Sequence, residues 1–470
     1  MERYTKEQQY IIRKIAEPIS SDTQLYKISA VAGAGKTTTL IGIAQTIAEI
    51  ERYKGLYIAF NKSVAEEARL KFPKYVECKT IHALAYEYVI KGTGQSIEEL
   101  SIDSLKTRHT PYVKRTIINA INKFFNSSSL SLSFIDDLLN AEHAKVAKKI
   151  ITDMVDRKIP ATFGFIIKYF YLQLHSGNIK VEYDMLMLDE AGDLSEVTLE
   201  IFKLINAKRK IMVGDPYQNI YAFMNTVNGF EILKDEGISL ELSQSFRVRK
   251  DIAKKIEQFC QKYLSKDMHF KGIDLPNEEP KNRVYLARTN SQLIQRMMQL
   301  HEDKIKYSTL RSPQEIFALP LALITVSTGK PIYKYEYKYL ERDYETYSND
   351  PELKTLYKSF HKYLRELHSD DQSLVTALRL LETHSYSKIF ETYNLAKTQP
   401  KKKQSITLAT AHTSKGGTYD SVYIENDLNN TVQRIIDDGG PITNDDITEL
   451  NLYYVACSRC RLELLNANLL

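Results

Sequence analysis

The chain has 470 residues, 43% hydrophobic and 26% charged, the balance of a soluble globular protein with room for two to four domains. No apolar run reaches the length of a membrane span and the N-terminal MERYTKEQQY is too polar for a secretory signal, so membrane-spanning and exported classes are not expected. A net charge of +5 is compatible with a nucleic-acid partner, and the four cysteines are too few for a disulfide framework, which points to the reducing cytoplasm.

The first segment, Tyr4-Thr5-Lys6-Glu7-Gln8, opens a helix with Thr5 as its N-cap. The Gln8 amide has the donor and acceptor needed to read an adenine edge, provided a nucleotide site follows. One does follow. The apolar run Leu25-Tyr26-Lys27-Ile28-Ser29 leads into Ala30-Val31-Ala32-Gly33-Ala34-Gly35-Lys36-Thr37, and a helix begins at once. Strand, small-residue loop and helix is the arrangement in which backbone N–H groups cradle phosphates at a helix N-terminus. Ala32, Gly33, Ala34, Gly35 and Thr38 belong to that cradle, Lys36 reaches the β- and γ-phosphates, and the Thr37 hydroxyl is a ligand for Mg²⁺. Ala30 stands where the general pattern has its first glycine.

Further strands are predicted at 55–60 and 76–78, alternating with helices as in a parallel α/β sheet. Phe60, Asn61, Thr80 and His82 fall at the strand C-terminal ends, the edge where such sheets bind ligands. From 87 to about 158 the pattern turns helical and basic, punctuated by Asn126-Ser127-Ser128-Ser129, and reads as a helical insertion with a solvated basic face. The sheet resumes with Asp184-Met185-Leu186-Met187-Leu188, which delivers Asp189-Glu190-Ala191-Gly192-Asp193. Adjacent carboxylates at the end of a buried strand need a cation: Asp189 suits Mg²⁺, and Glu190 suits polarisation of an attacking water. The strand Lys210–Val213 ends at Gly214-Asp215-Pro216-Tyr217-Gln218, placing Gln218 to sense a γ-phosphate. Tyr221 and Phe223 suit base stacking, with core packing as the alternative for Tyr221.

Leu240 to Arg247 is read as opening a second α/β unit, with strands at 283–287, 405–409 and 421–424. A second insertion spans about 311 to 400. Within it Tyr333, Tyr335, Tyr337 and Tyr339 alternate with charged residues, the pattern of an amphipathic strand. Leu353, Leu356, Tyr357, Phe360, Leu364 and Leu367 keep the spacing of a helix, and Pro400 to Lys403 reads as a linker. A last helix covers 449–459. It carries Cys457 and, one residue beyond it, Cys460, which read as ordinary thiols because no second close pair accompanies them.

Taken in order, the blocks YTKEQ, AVAGAGKT, AFNKSVAEEA, KTIHALAY, PATFGFIIKYF, LDEAGD, VGDPYQNIYAF, LSQSFR, LARTN, TAHTSKGG and ELNLYYVACSR span residues 4 to 459. This set resembles the UvrD/Rep/PcrA group of superfamily 1A DNA helicases, in particular the helicase portion of the F-box DNA helicases. No F-box-like segment is expected ahead of the first block, and no fused nuclease after the last. The resemblance implies an α/β fold of two RecA-like domains with parallel sheets, each with a mainly helical insertion. The expected boundaries are 1–86 with 160–236 (1A), 87–159 (1B), 237–310 with 401–470 (2A) and 311–400 (2B). It implies ATP and Mg²⁺ as cofactors, with Gln8 and Phe246 holding the adenine, and Lys36, Glu190, Gln218, Arg247 and Arg459 acting in hydrolysis. The two arginines would be the fingers that stabilise charge on the transferring phosphoryl group. Single-stranded DNA would contact Phe60, Asn61, Thr80, His82, Tyr221, Phe223, Arg288, Asn290, His412 and Lys415.

The implied protein is a monomeric 3′–5′ translocase and helicase acting on single strands and single/double-strand junctions, with recombinase or replication proteins as further partners. Its expected location is the cytoplasm, on the nucleoid in a bacterial or phage setting, or the nucleus in a eukaryote. Three positions depart from the family pattern: Gly192 for glutamine, Met224 for arginine and Thr418 for glutamate. They keep two other readings open, a motor that remodels protein–DNA filaments and a slow ATP-switched DNA-binding protein.

Overall fold

The computed structural model describes residues 4–19, 23–221, 226–276, 278–332, 334–369, 371–400 and 404–470. The chain divides into two compact units, Met1–Phe246 and Arg247–Leu470.

The first unit alternates strands and helices: α1 Lys6–Ala16, β1 Gln24–Ala30, α2 Lys36–Ile50, β2 Gly55–Ala59, α3 Lys62–Lys71 and β3 Val76–Thr80. A helical stretch follows, with α4 Ile81–Val89, α5 Pro111–Asn126, α6 Ala141–Val155 and α7 Phe163–His175. The alternation then returns with β4 Glu182–Leu188, β5 Leu194–Ser195, α8 Glu196–Leu204, β6 Asn206–Gly214, β7 Thr226–Val227, α9 Gly229–Ile232 and β8 Ile238–Leu242. Among the described residues, six strands form one sheet in the order β3-β2-β4-β6-β1-β8, every pairing parallel. β2 and β4 are buried almost along their whole length, the signature of strands covered by helices on both faces. The helical stretch does not stand apart from the sheet: Leu186 and Leu188 share one apolar core with Ile117, Phe124, Phe125, Ile151, Phe165 and Phe170.

In the second unit β9 (Gln244–Arg249), whose first residues precede the division, pairs with β10 (Lys271–Ile273), flanking α10 (Lys250–Tyr263). Next come β11 Arg283–Ala287, α11 Asn290–Glu302 and β12 Ser308–Thr309. The helices α12 Pro313–Ile316, α13 Ala318–Ser327, α14 Tyr339–Asn349, α15 Pro351–Tyr357, α16 Phe360–Leu367, α17 Gln372–Thr383 and α18 Tyr386–Lys397 follow. The unit closes with β13 Ile406–Thr410, β14 Tyr419–Ile424, α19 Asn426–Asp438, α20 Asn444–Cys457 and β15 Cys460–Leu465. Five strands form a parallel sheet in the order β12-β13-β11-β14-β15 among the described residues. Leu408 of β13 shares its core with Leu323, Leu364, Leu374 and Leu378 of the helical stretch. Two parallel α/β sheets, each interrupted by helices, are the RecA-like architecture.

Three readings need correction. Leu240 to Leu242 does not open the second unit: β8 pairs with β1, Leu240 opposite Ile28, as the edge strand of the first sheet. Its alternation, Leu240 and Leu242 buried and Glu241 exposed, suits any one-sided edge and carries no information about which sheet it joins. Tyr333 lies outside the described residues, while Tyr335 to Tyr337 form a 3₁₀ turn and Tyr339 begins α14, so the described part of this stretch holds no strand; a short alternation of period two is too little to outweigh the helical run behind it. The apolar stripe from Leu353 to Leu367 is two helices, broken at Lys358, whose φ of 59° ends α15 in the left-handed region. Of the linker reading, Lys401 to Lys403 lie outside the described residues.

Candidate nucleotide site and nucleic-acid face

β1 carries Tyr26, Lys27 and Ile28 fully buried and ends at the phosphate loop. The loop turns on Gly33 and Gly35, whose φ values of 77° and 76° a side chain rarely adopts. Gly35 is the N-cap of α2 and supplies no side-chain acceptor, so the first N–H groups of a 15-residue helix face the loop with their dipole uncompensated. That is an anion site, and Lys36 adds a full charge beside it. The outer side of the loop is clamped by the LSQSF segment: Ser245 Oγ donates to Ala32 O (2.7 Å) and Phe246 N to Gly33 O (2.9 Å). With those carbonyls held outward, the amides are left for phosphate. Sequence reasoning missed Ser245 in this role.

Gln8 and Phe246 both approach Gly35; a Cβ there would lie 3.1 Å from Gln8 Nε2 and 3.4 Å from the Phe246 ring. The Gln8 amide accepts from Thr5 N (3.1 Å) in the capping box of α1 and donates to Thr39 Oγ1 (3.1 Å). These bonds orient the amide and use about half its capacity. Glu7, the neighbour of Gln8, accepts from Ser243 N (2.9 Å), Ser243 Oγ (2.5 Å) and Gln244 N (3.2 Å), fastening α1 to the segment that carries Phe246. The Phe246 ring is 47% exposed, open to a stacking partner.

Lys36 Nζ donates to Glu190 Oε1 at 2.6 Å. Burial opposes its charge, yet the carboxylates of Glu190, then Asp189 and Asp215, hold the ammonium above its ordinary range. Glu190 sits at φ 55°, unusual for a residue with a side chain and the kind of backbone strain that clusters at functional sites. Burial, then the Glu190 charge, raises the Asp189 carboxyl. Asp189 accepts from Glu190 N (2.9 Å) and from Tyr57 OH (2.6 Å). Tyr57 is fully buried on β2, and its phenol is pushed up by burial and by Asp189, with the Thr37 side chain partly offsetting the shift. It therefore braces Asp189, one of the two residues expected to hold Mg²⁺, and sequence reasoning missed it. Carboxylate oxygens crowded around Lys36 fit a hard divalent cation.

Gln218 is buried, its Nε2 donating to Asp215 Oδ2 (2.7 Å) and its backbone N to Asp215 O (3.1 Å). Tyr221 is half-buried; Phe223 and Met224 lie outside the described residues.

On the strand ends of the same unit, Phe60 is 58% exposed. Asn61 and Thr80 spend their side-chain oxygens as N-caps of α3 and α4, on Val64 N (2.9 Å) and Ala83 N (3.2 Å). The exposed His82 ring meets Phe163 edge-on at 5.7 Å, and Phe163, at the first position of α7, is itself 48% exposed. Phe163 extends the aromatic row begun by His82. Its only sequence signal was its place within the PATFGFIIKYF block.

In the second unit Arg247 Nη1 donates to Ser458 O (3.2 Å) and Arg459 Nη2 to Ser458 Oγ (3.0 Å), so the two arginines converge on one residue. The Arg459 guanidinium is buried and folded onto the C-terminal turn of α20, where Nε reaches Val455 O at 2.8 Å. Arg288 is held by Glu449 through Nε and Nη2 at 2.7–3.0 Å, and Asp427 accepts from the backbone N of Arg288 and Thr289. Asn290 opens α11 with a buried Oδ1 that has no partner among the described residues. His412 and Lys415 are half-buried in the turn after β13, and Thr418 is exposed. Cys457 and Cys460 are buried, and burial holds both thiols protonated, Cys460 up to about 12.

The first unit thus gathers Gln8, the phosphate loop, Asp189, Glu190, Gln218 and Phe246; Arg247, Arg288, Asn290, His412, Lys415 and Arg459 belong to the second. Fold and site together define a phosphate-loop nucleotide fold built on RecA-like sheets. Residues 14–224 match a family described as an AAA domain. The chain is 25% identical to F-box DNA helicase protein 1 of Schizosaccharomyces pombe over 98% of its own length and 57% of that protein's. It is 32% identical to F-box DNA helicase 1 of Gallus gallus over 53% of this chain and 27% of that one. It is 26% identical to the mitochondrial ATP-dependent DNA helicase HMI1 of Saccharomyces cerevisiae, over 48% and 35% respectively. The chain therefore spans little more than half of the first relative and about a third or less of the others. These similarities, together with the two parallel sheets, support a superfamily 1 helicase. No helix among the described residues is long and apolar enough to cross a membrane.

Proposed function

We propose that the protein is an ATP-dependent single-stranded DNA translocase and DNA helicase moving 3′ to 5′. The observation that carries this reading is the Lys36–Glu190–Asp189 cluster under the uncapped start of α2, in a chain whose relatives are named DNA helicases. ATP would lie on the phosphate loop, its adenine between the Gln8 amide and the Phe246 ring. Phosphate oxygens would take over the Lys36 ammonium from Glu190, freeing that carboxylate to accept a proton from the attacking water. Thr37 and Asp189 would hold Mg²⁺, which supplies charge neutralisation on the phosphates when bound. Gln218 would sense the γ-phosphate, and the second unit would supply Arg247 and Arg459 as fingers. For Arg459 that requires the guanidinium to leave its contacts with Val455 and Ser458, so nucleotide and the α20 turn compete for one side chain.

Single-stranded DNA would run across Phe60, Asn61, Thr80, His82 and Tyr221 with Phe163 added, and across Arg288, Asn290, His412 and Lys415 of the second unit. Stacking on exposed rings accepts any base, as a motor requires. The test is strand separation on a forked duplex with a 3′ tail, a 5′ tail or none. ATP-dependent separation of the 3′-tailed fork alone supports the reading. ATP-driven clearing of protein from single strands without separation would favour the filament-remodelling alternative.

A further inference from the structure

The loops that follow β4 and β6 meet backbone against backbone. A Cβ on Gly192 would lie 2.4 Å from Asp215 O and 3.2 Å from its carbonyl carbon; one on Gly214 would lie 2.7 Å from Ala191 N and 2.9 Å from Gly192 N. Neither glycine has a positive φ, so space, not backbone conformation, excludes a side chain at these positions. The approach is pinned from both sides. Ala191 N donates to Val213 O at 3.0 Å, and Gly229 N donates to Ala191 O at 3.0 Å.

The contact joins two working parts. Glu190 stands two residues before Gly192. On the other side, the carbonyl oxygen that Gly192 abuts, Asp215 O, is the atom that accepts from Gln218 N, while Asp215 Oδ2 accepts from Gln218 Nε2. Any displacement of that carbonyl therefore moves two anchors of Gln218. Asp215 is 1% exposed and Ala191 fully buried, so the clasp has no room to relax outward.

We propose that Gly192 is a positioning residue: its close approach to Asp215 fixes the separation between the water-activating Glu190 and the phosphate-sensing Gln218, so the pair moves as one body. This inference rests on the ATP-hydrolysing reading above. A side chain at 192 pushes Asp215 from 2.4 Å toward the 3.4 Å of ordinary contact, a shift of about 1 Å. Misplacement of that size costs on the order of 10²-fold in rate when reacting groups must be aligned. The phosphate loop, Gln8 and Phe246 take no part in the clasp, so nucleotide affinity is spared.

The experiment measures ATP hydrolysis with saturating single-stranded DNA, and binding of a fluorescent ATP analogue, for wild type, Gly192→Ala, Gly192→Gln, Gln218→Ala and the double variant Gly192→Ala/Gln218→Ala. The clasp predicts that kcat falls at least tenfold in both Gly192 variants while KM for ATP and analogue binding stay unchanged. It also predicts that the double variant is no slower than Gln218→Ala alone. An unchanged kcat in Gly192→Ala, a parallel loss of analogue binding, or additive losses in the double variant would overturn it. Should Gly192→Ala fail to fold, Asp215→Ala, which removes the side-chain anchor of Gln218, is read the same way, and an unchanged kcat there overturns the inference. A wild type that binds the analogue and never hydrolyses ATP defeats the underlying reading instead.

Discussion

Replacing Tyr57 by phenylalanine removes one oxygen from the floor of the candidate Mg²⁺ site and leaves the packing volume almost intact. The lost bond is short, 2.6 Å to Asp189 Oδ2, with both residues buried. A hydrogen bond to a charged group is worth about 1.5–3 kcal/mol, and its loss leaves a buried carboxylate oxygen without that donor. Asp189 keeps the Glu190 N bond on its other oxygen, so the carboxylate stays in place but is free to turn. Removing an outer-shell partner of a metal ligand typically weakens metal binding by about 10–100-fold, which agrees with the energy of the bond. Tyr57→Phe should therefore need roughly ten times or more Mg²⁺ for half-maximal ATP hydrolysis, with a near-normal rate at saturating Mg²⁺. The assay is a Mg²⁺ titration at fixed ATP, with titration of fluorescent nucleotide as a second readout. An unchanged Mg²⁺ dependence would refute the assignment of Tyr57, and with it the placing of the cation between Thr37 and Asp189.

Glu190→Gln keeps the size and most of the polarity of the side chain but cannot accept the proton of water, so hydrolysis should fall about 10²–10⁴-fold while nucleotide binding survives. Phe163→Ala should weaken single-stranded DNA binding by about 1–3 kcal/mol without changing its salt dependence, because stacking and not phosphate contact is lost; equal affinity would remove Phe163 from the DNA path. Lys168 lies buried on the rings of Phe124 and Tyr171 and donates to Ser127 O and Ser129 O, and burial lowers its ammonium to about 8 from the usual 10.5. Between those values the unfolded chain binds a proton that the native chain does not, so stability from this group rises with pH across that window and is flat below it. The stability difference between wild type and Lys168→Met, measured by urea unfolding, should therefore grow from pH 8 to pH 10; a constant difference would contradict it.

The phosphate loop and the gathering of Asp189, Glu190 and Gln218 at the strand ends beside it were legible because their positions follow from residue type and near neighbours in the chain. Gly35 must turn with a positive φ, and consecutive carboxylates must end a buried strand. Tyr57 was not legible. Its hydroxyl meets Asp189 only because β2 and β4 are adjacent and in register, Tyr57 opposite Met187, and no local pattern encodes that pairing. Lys168 was hidden for a similar reason: a lysine in a helix reads as solvated, and the Ser127 and Ser129 carbonyls that hold it come from some 40 residues earlier. Edge strands carry the least information, which is why β8 was given to the wrong unit. Gly192 was visible as a departure, but only the position of Asp215 O shows what the missing side chain makes room for.

The most direct test of the account is the rate of ATP hydrolysis with and without single-stranded DNA, for wild type, Lys36→Ala and Arg459→Ala. The account predicts that DNA raises the wild-type rate by orders of magnitude and that each substitution abolishes the stimulated rate, although the two residues sit on different units. A wild type that binds single-stranded DNA yet hydrolyses ATP no faster than Lys36→Ala would contradict it, leaving a nucleotide-switched DNA-binding protein in place of a motor.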